Sequence, residues 1–294
     1  MLSYLQRKLI YRPTRQVDID LERAGLSPQQ ARAVQVETHD GLLLNGWHVF
    51  AASRSGSADV SSIRDAERPM IVYFPGNARN REFRGLNCRI LAQAGADVLL
   101  VDYRGYAENP GSPCEEHIAA DARAVCDFAL QTLGVPASNL VLYGESLGGA
   151  VATRLAAEMC AAAKSPAALV LGWTFPTLAD AAGHRHPWLP VRWALVERYA
   201  SIAHIANVCS PILMLHGCHD TELPVELGRK LFAAAPPASH SGIEKRFVEL
   251  PAGHNDVYRV AGNELRTAIE RFLGDVLNVR ATLAQRPAQN AELV

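Results

Sequence analysis

This 294-residue chain has no run of about 20 apolar residues, so nothing in it reads as a membrane span. It has no excess of charge of one sign. Its 29 basic side chains face 30 acidic ones, a net charge of -1, which argues against broad electrostatic binding to nucleic acid. Cysteine is sparse: Cys88, Cys114, Cys126, Cys160, Cys209 and Cys218, none in a C-x-x-C pair or at a zinc-ligand spacing. No secretory leader is recognisable, so free thiols in a reducing, cytoplasmic setting are expected. Charge and hydrophobic content are ordinary for a globular protein, and the length suits one large domain.

What is present is an alternation of short apolar runs with helical patterns, which argues for a layered α/β fold with a mostly parallel sheet. Residues 33–37 and 42–50 read as strands around His39-Asp40-Gly41, a hairpin signal. Residues 51–69 read as a surface loop. Further strands are expected at Met70–Phe74, Val98–Val101, Leu140–Tyr143, Ala168–Leu171, Pro211–Leu215 and Phe247–Leu250. Helices are expected at about 81–94, 115–133, 147–163, 225–234 and 259–277. The organisation read from this is an N-terminal helical segment at 1–30, one domain at 31–280 and a polar tail at 281–294. About 38 residues separate the strand ending near Leu171 from the one starting near Pro211, which leaves little for a separate cap. An open site with residues 174–204 as one wall is expected.

The chemistry is carried by Gly144-Glu145-Ser146-Leu147-Gly148, a G-x-S-x-G sequence directly after an apolar strand and directly before a helix. That context is the nucleophile elbow, which exposes the serine at the carboxyl end of the sheet and aims a helix N-terminus at it. A serine hydroxyl needs a base within hydrogen-bond reach, and the base needs an acid to orient it. In this architecture the order is serine, acid, histidine. Asp220, in His216-Gly217-Cys218-His219-Asp220, and His254, in Gly253-His254-Asn255, both lie in loops after strands and fit those roles.

Competing bases are His216, His219 and His240, and competing acids are Asp180, Glu222 and Asp256. His216 reads as a structural strand-end residue, and Asp256 lies too close to His254 in sequence to turn onto its Nδ1. His184 and His186 have no third partner that would make a metal site, and no metal is expected. Trp173, Phe175, Trp188 and Trp193 read as packing residues, one or two of which could line an acyl pocket. An oxyanion site needs two donors. The backbone N–H of Leu147 supplies one. Pro75 has no N–H, so the N–H of Asn77 in Pro75-Gly76-Asn77-Ala78 is assigned as the second.

Phe74-Pro75-Gly76-Asn77-Ala78, Val101-Asp102-Tyr103-Arg104-Gly105-Tyr106, Gly144–Gly149, His216–Asp220 and Gly253-His254-Asn255 together resemble the lid-poor α/β-hydrolases, which include the bud-emergence-type, serine peptidase-like proteins. The resemblance runs from about Leu9 to Leu273. It implies the α/β-hydrolase fold: a mostly parallel sheet of about eight strands, helices on both faces and a minimal cap. It also implies hydrolysis of a carboxylic ester or thioester in a small-molecule or lipid-like acyl substrate, with no cofactor. The alternatives left open are a non-catalytic binding or sensor protein on the same fold, and a peptidase or amidase. Two departures stand out: Pro75 replaces a usual histidine, and Ala107-Glu108-Asn109 replaces a usual Gly-x-Ser.

At the start of the chain Leu2, Leu5 and Leu9 share helical spacing, with Arg7, Lys8, Arg12 and Arg15 close by. The favoured reading is a helix docked on the domain. A peripheral membrane contact through residues 1–15 is the other. The oligomeric state is not legible.

Overall fold

Alternating side-chain direction along fully buried strands divides the core in two. In the computed structural model, which describes residues 2–51, 68–185 and 195–284, strand β4 (Met70–Phe74) turns Met70, Val72 and Phe74 to one face and Ile71 and Tyr73 to the other. This is the two-residue period of a strand buried on both sides. The chain opens with α1 (Leu2–Ile10) and β1 (Arg12–Pro13), followed by the antiparallel pair β2 (Ala31–Glu37) and β3 (Leu43–Val49). After β4 come the short β5 (Ala78–Arg79), a 3-10 turn at Arg81–Arg84, α2 (Gly85–Gln93), β6 (Asp97–Val101) and α3 (Glu115–Asp127). Then follow β7 (Leu140–Glu145), α4 (Leu147–Ala161), β8 (Ala168–Gly172), α5 (Leu178–Arg185) and α6 (Ser201–Ile205). The chain continues through β9 (Ile212–Gly217), α7 (Val225–Ala234), β10 (Arg246–Leu250), α8 (Val257–Val260) and α9 (Gly262–Ala284).

The main sheet has eight strands in the order β10-β9-β8-β7-β4-β6-β3-β2, and only the pairings of β3 are antiparallel. One core cluster lies between this sheet and α3 and α4. The other lies beneath α2 and α9, where Leu265, Ile269, Phe272 and Val276 form a helical stripe. The expected fold class is the observed one. A two-stranded parallel ribbon, β1 on β5, ties the N-terminal segment to the loop after β4.

Three helices differ from expectation. The helix expected from residue 81 begins as a 3-10 turn, and α2 proper starts at Gly85, where an added Cβ would lie 1.9 Å from the Ala24 carbonyl oxygen. The helix expected to run through residue 133 stops at Asp127 and widens into a π-turn at Phe128–Thr132. The last helix is broken between α8 and α9 and extends to Ala284. The expected loop at 51–69 falls largely on residues 52–67, and that segment lies outside the described residues, as do residues 285–294. All six cysteines are free thiols.

Candidate active site

Ser146 sits between β7 and α4 with φ +52° and ψ -119°, a conformation rarely adopted by a residue with a side chain. The turn is this tight because its flanking glycines leave no space. A Cβ on Gly144 would lie 2.2 Å from the Gly148 carbonyl oxygen, and one on Gly148 would lie 2.0 Å from that of Phe74. The Ser146 peptide is held by its N–H, which donates to the Gly172 carbonyl at 2.9 Å, and by its own carbonyl, which accepts from Thr174 Oγ1 at 2.7 Å.

The loops after β9 and β10 meet Ser146 from one side. The Cys218 N–H donates to the Leu250 carbonyl, and the His219 N–H donates to that of Ala252, so the two loops are joined backbone to backbone. His254 Nε2 lies 3.2 Å from Ser146 Oγ, and its Nδ1 lies 2.7 Å from Asp220 Oδ2. The carboxylate can only accept, so Nδ1 carries a proton, and in the neutral ring Nε2 is left to accept from the serine. Asp220 is buried, and its other oxygen accepts from the N–H groups of Glu222 and Leu223 at 2.9 and 2.8 Å. These bonds leave the carboxylate little freedom to rotate away from the imidazole.

The competing acids are occupied elsewhere. Asp256 accepts from the Gly253 N–H and so shapes the loop carrying His254. Asp180 accepts from Thr177 and Lys230. The Glu222 side chain accepts from Asn255. His240 lies in the turn before β10, where its backbone N–H donates to the Cys209 carbonyl.

His216, within β9, donates from Nε2 to the Leu223 carbonyl at 2.8 Å, in keeping with its structural reading. Burial lowers the pKa of its imidazole, and the Leu223 hydrogen bond and the nearby Asp220 charge offset this only in part. Below the ordinary histidine value of 6.5 the unfolded chain therefore takes up a proton that the native ring resists. Stability present above that pH is lost as pH falls through it. Against His216→Gln, the wild type should lose about 1 kcal/mol more between about pH 7.5 and about pH 5.5, read from urea unfolding at each pH.

The loop after β4 closes the other side. A Cβ on Gly76 would lie 3.5 Å from Ser146 Cβ, so this backbone runs beside the serine. The Asn77 carbonyl accepts from Tyr106 Oη at 2.6 Å and from the Arg12 N–H at 2.9 Å, and its side-chain amide donates to the Ile10 carbonyl. Leu147 is the first residue of α4, so its N–H has no acceptor within the helix. The Pro75 carbonyl accepts from Tyr103 Oη at 2.9 Å. In the other departure, Asn109 is fully buried, donating to the Asp102 carbonyl and accepting from the Asn45 N–H, while Glu108 pairs with Arg81.

One pair escaped the sequence reading. Glu145, beside the serine, is buried with Arg84 Nη1 at 2.8 Å, and Arg84 also donates to the Ala78 carbonyl. Burial works against the Arg84 charge more than any single neighbour favours it, but Glu145 together with the tyrosines and Asp102 around it holds the guanidinium pKa above its ordinary value. The only sequence signal was a charged residue at the end of an apolar strand, which demands a partner without naming it. Trp173 and Phe175 are buried in the two core clusters, while Trp188, Trp193 and His186 lie outside the described residues. His184 is exposed, and among the described residues no three His, Cys, Asp or Glu side chains converge as metal ligands do.

Residues 69–190 match the family model of the alpha/beta hydrolase fold. An uncharacterized protein of Mycobacterium tuberculosis is 38% identical over 91% of this chain and 87% of its own length. The lysophosphatidylserine lipase ABHD12 of Danio rerio is 28% identical over 76% of this chain, a match that spans 65% of the lipase. Among solved structures, an esterase of Pyrococcus furiosus has a TM-score of 0.66 at 17% identity, covering 90% of this chain and 98% of the esterase. That last likeness is one of fold.

Proposed function

Because the chain belongs to the α/β-hydrolase superfamily, whose esterase and lipase members point to hydrolase activity, we propose that it is a serine hydrolase cleaving carboxylic ester or thioester bonds. The observation that carries this reading is the line of contacts from Ser146 Oγ through His254 to Asp220, at 3.2 and 2.7 Å. In this mechanism Ser146 attacks the acyl carbonyl while His254 Nε2 takes its proton. Asp220 holds the imidazole in the needed tautomer and stabilises the imidazolium. The Leu147 and Asn77 N–H groups receive the tetrahedral oxyanion. His254 then protonates the leaving group, activates water, and returns the proton to Ser146 as the acid product leaves.

The test is covalent labelling. A fluorophosphonate probe should label the wild type at Ser146 and leave Ser146→Ala unlabelled. An unlabelled wild type would sink the proposal. Turnover of p-nitrophenyl esters of increasing chain length then ranks the acyl group. The lipase relatives make a single-chain lysophospholipid the first natural type of substrate to try.

A further inference from the structure

Helix α1 lies on the protein through Gln6 and Arg7, and Ile10 at its end packs against the core. Gln6 Oε1 accepts from the Val196 N–H at 2.9 Å, and Arg7 Nε donates to the buried Glu197 carboxylate at 2.6 Å. Tyr11, just past the helix, is buried and donates to the same carboxylate. The apolar side faces out: Tyr4 is 60% exposed, Leu5 53% and Leu9 72%. A helix that only packs on its own domain buries the opposite stripe.

The charges on this outward face are of one sign. Helix α1 contains no acidic residue, Lys8 lies over the Tyr4 ring, and Arg12 is exposed one turn on. Beyond Arg12 the β1–β5 ribbon leads to Arg79, whose guanidinium lies over the half-exposed Phe83. Exposed leucines and aromatics set among cations complement a surface that offers hydrocarbon beneath negative headgroups. A second copy is the poorer fit, because a two-fold contact would set two copies of the same cationic patch, with Lys8 and Arg12, against each other.

We propose that the outward face of α1, extended by Arg79 and Phe83, docks on the surface of an anionic lipid bilayer. The same ribbon continues into Asn77 and Gly76 beside Ser146, so docking there brings the mouth of the site to the lipid. Binding is read without any turnover, so this inference stands or falls separately from the hydrolase reading.

The experiment is co-sedimentation of the full chain with vesicles of phosphatidylcholine alone and of an equal mixture with phosphatidylglycerol. The wild type should bind the mixed vesicles, and less so as salt is raised. The double variant Leu5→Asp, Leu9→Asp should bind at least about tenfold more weakly, because two apolar side chains leave the interface and two anions enter it. Its thermal midpoint should stay at the wild-type value, since both side chains are exposed. Wild type that ignores both vesicles overturns the proposal, and so does a variant that binds as well as wild type. A dimer that the two substitutions dissociate, with no vesicle binding, gives the face to a second copy and equally overturns it.

Discussion

Ser146→Gly should give a folded protein whose kcat on a p-nitrophenyl ester is lower by about 10^6-fold and whose melting temperature is higher by roughly 2 °C. On the proposed mechanism the rate loss follows from removing the group that acts with His254 and Asp220 as a unit, leaving only binding and the two amides. The gain in stability follows from the backbone. A residue with a Cβ at φ +52° carries strain of about 1–3 kcal/mol. Glycine relieves most of that and returns roughly 0.5–1 kcal/mol of it as chain entropy. Ser146→Ala keeps the Cβ and the strain, so it should lose comparable activity with no rise in melting temperature. Calorimetry alongside steady-state kinetics separates the two variants. An equal melting temperature for glycine and alanine at this position would show that the turn stores no strain.

Arg84→Met should destabilise the protein by about 3–5 kcal/mol in denaturant unfolding, because it leaves the Glu145 carboxylate buried without its cation. The double variant Arg84→Met, Glu145→Gln should recover most of that loss. The pair holds no large net stabilisation, since desolvating two charges consumes much of their attraction. What it holds is position: Arg84 reaches both Glu145, next to the serine, and the Ala78 carbonyl, next to Asn77. A double variant no more stable than Arg84→Met would show that the loss comes from packing rather than from charge.

These two residues also mark where the sequence stops being legible. Ser146, Asp220 and His254 could be read because each follows the carboxyl end of an apolar strand, and a parallel sheet opens all such loops on one edge. The assignment of Asn77 rests on Pro75 having no N–H of its own, and it belongs to the proposed mechanism. Arg84 could not be read, because its partner lies far along the chain at the end of β7 and nothing local pairs them. The orientation of α1 was hidden for the same reason. Helical spacing reveals a stripe of leucines but not which side faces inward, and the residue that decides it, Glu197, is 190 positions from Arg7. Gly85 and Gly262, at the starts of α2 and α9, likewise pack closely on Ala24 and Ile90, contacts that exist only in the folded chain.

The ribbon between β1 and β5 has a practical meaning for expression design. A shortened version starting at Val17 would keep every strand of the main sheet, both core clusters apart from Ile10 and Tyr11, and all three of the serine, aspartate and histidine. It would look complete to any choice of boundary made from the family match at residues 69–190. Yet Asn77 would lose the Arg12 N–H on its carbonyl and the Ile10 carbonyl on its amide, two of the three bonds that fix it beside the serine. Cloning boundaries for this protein are better drawn from the hydrogen bonds of Asn77 than from the limits of the family match.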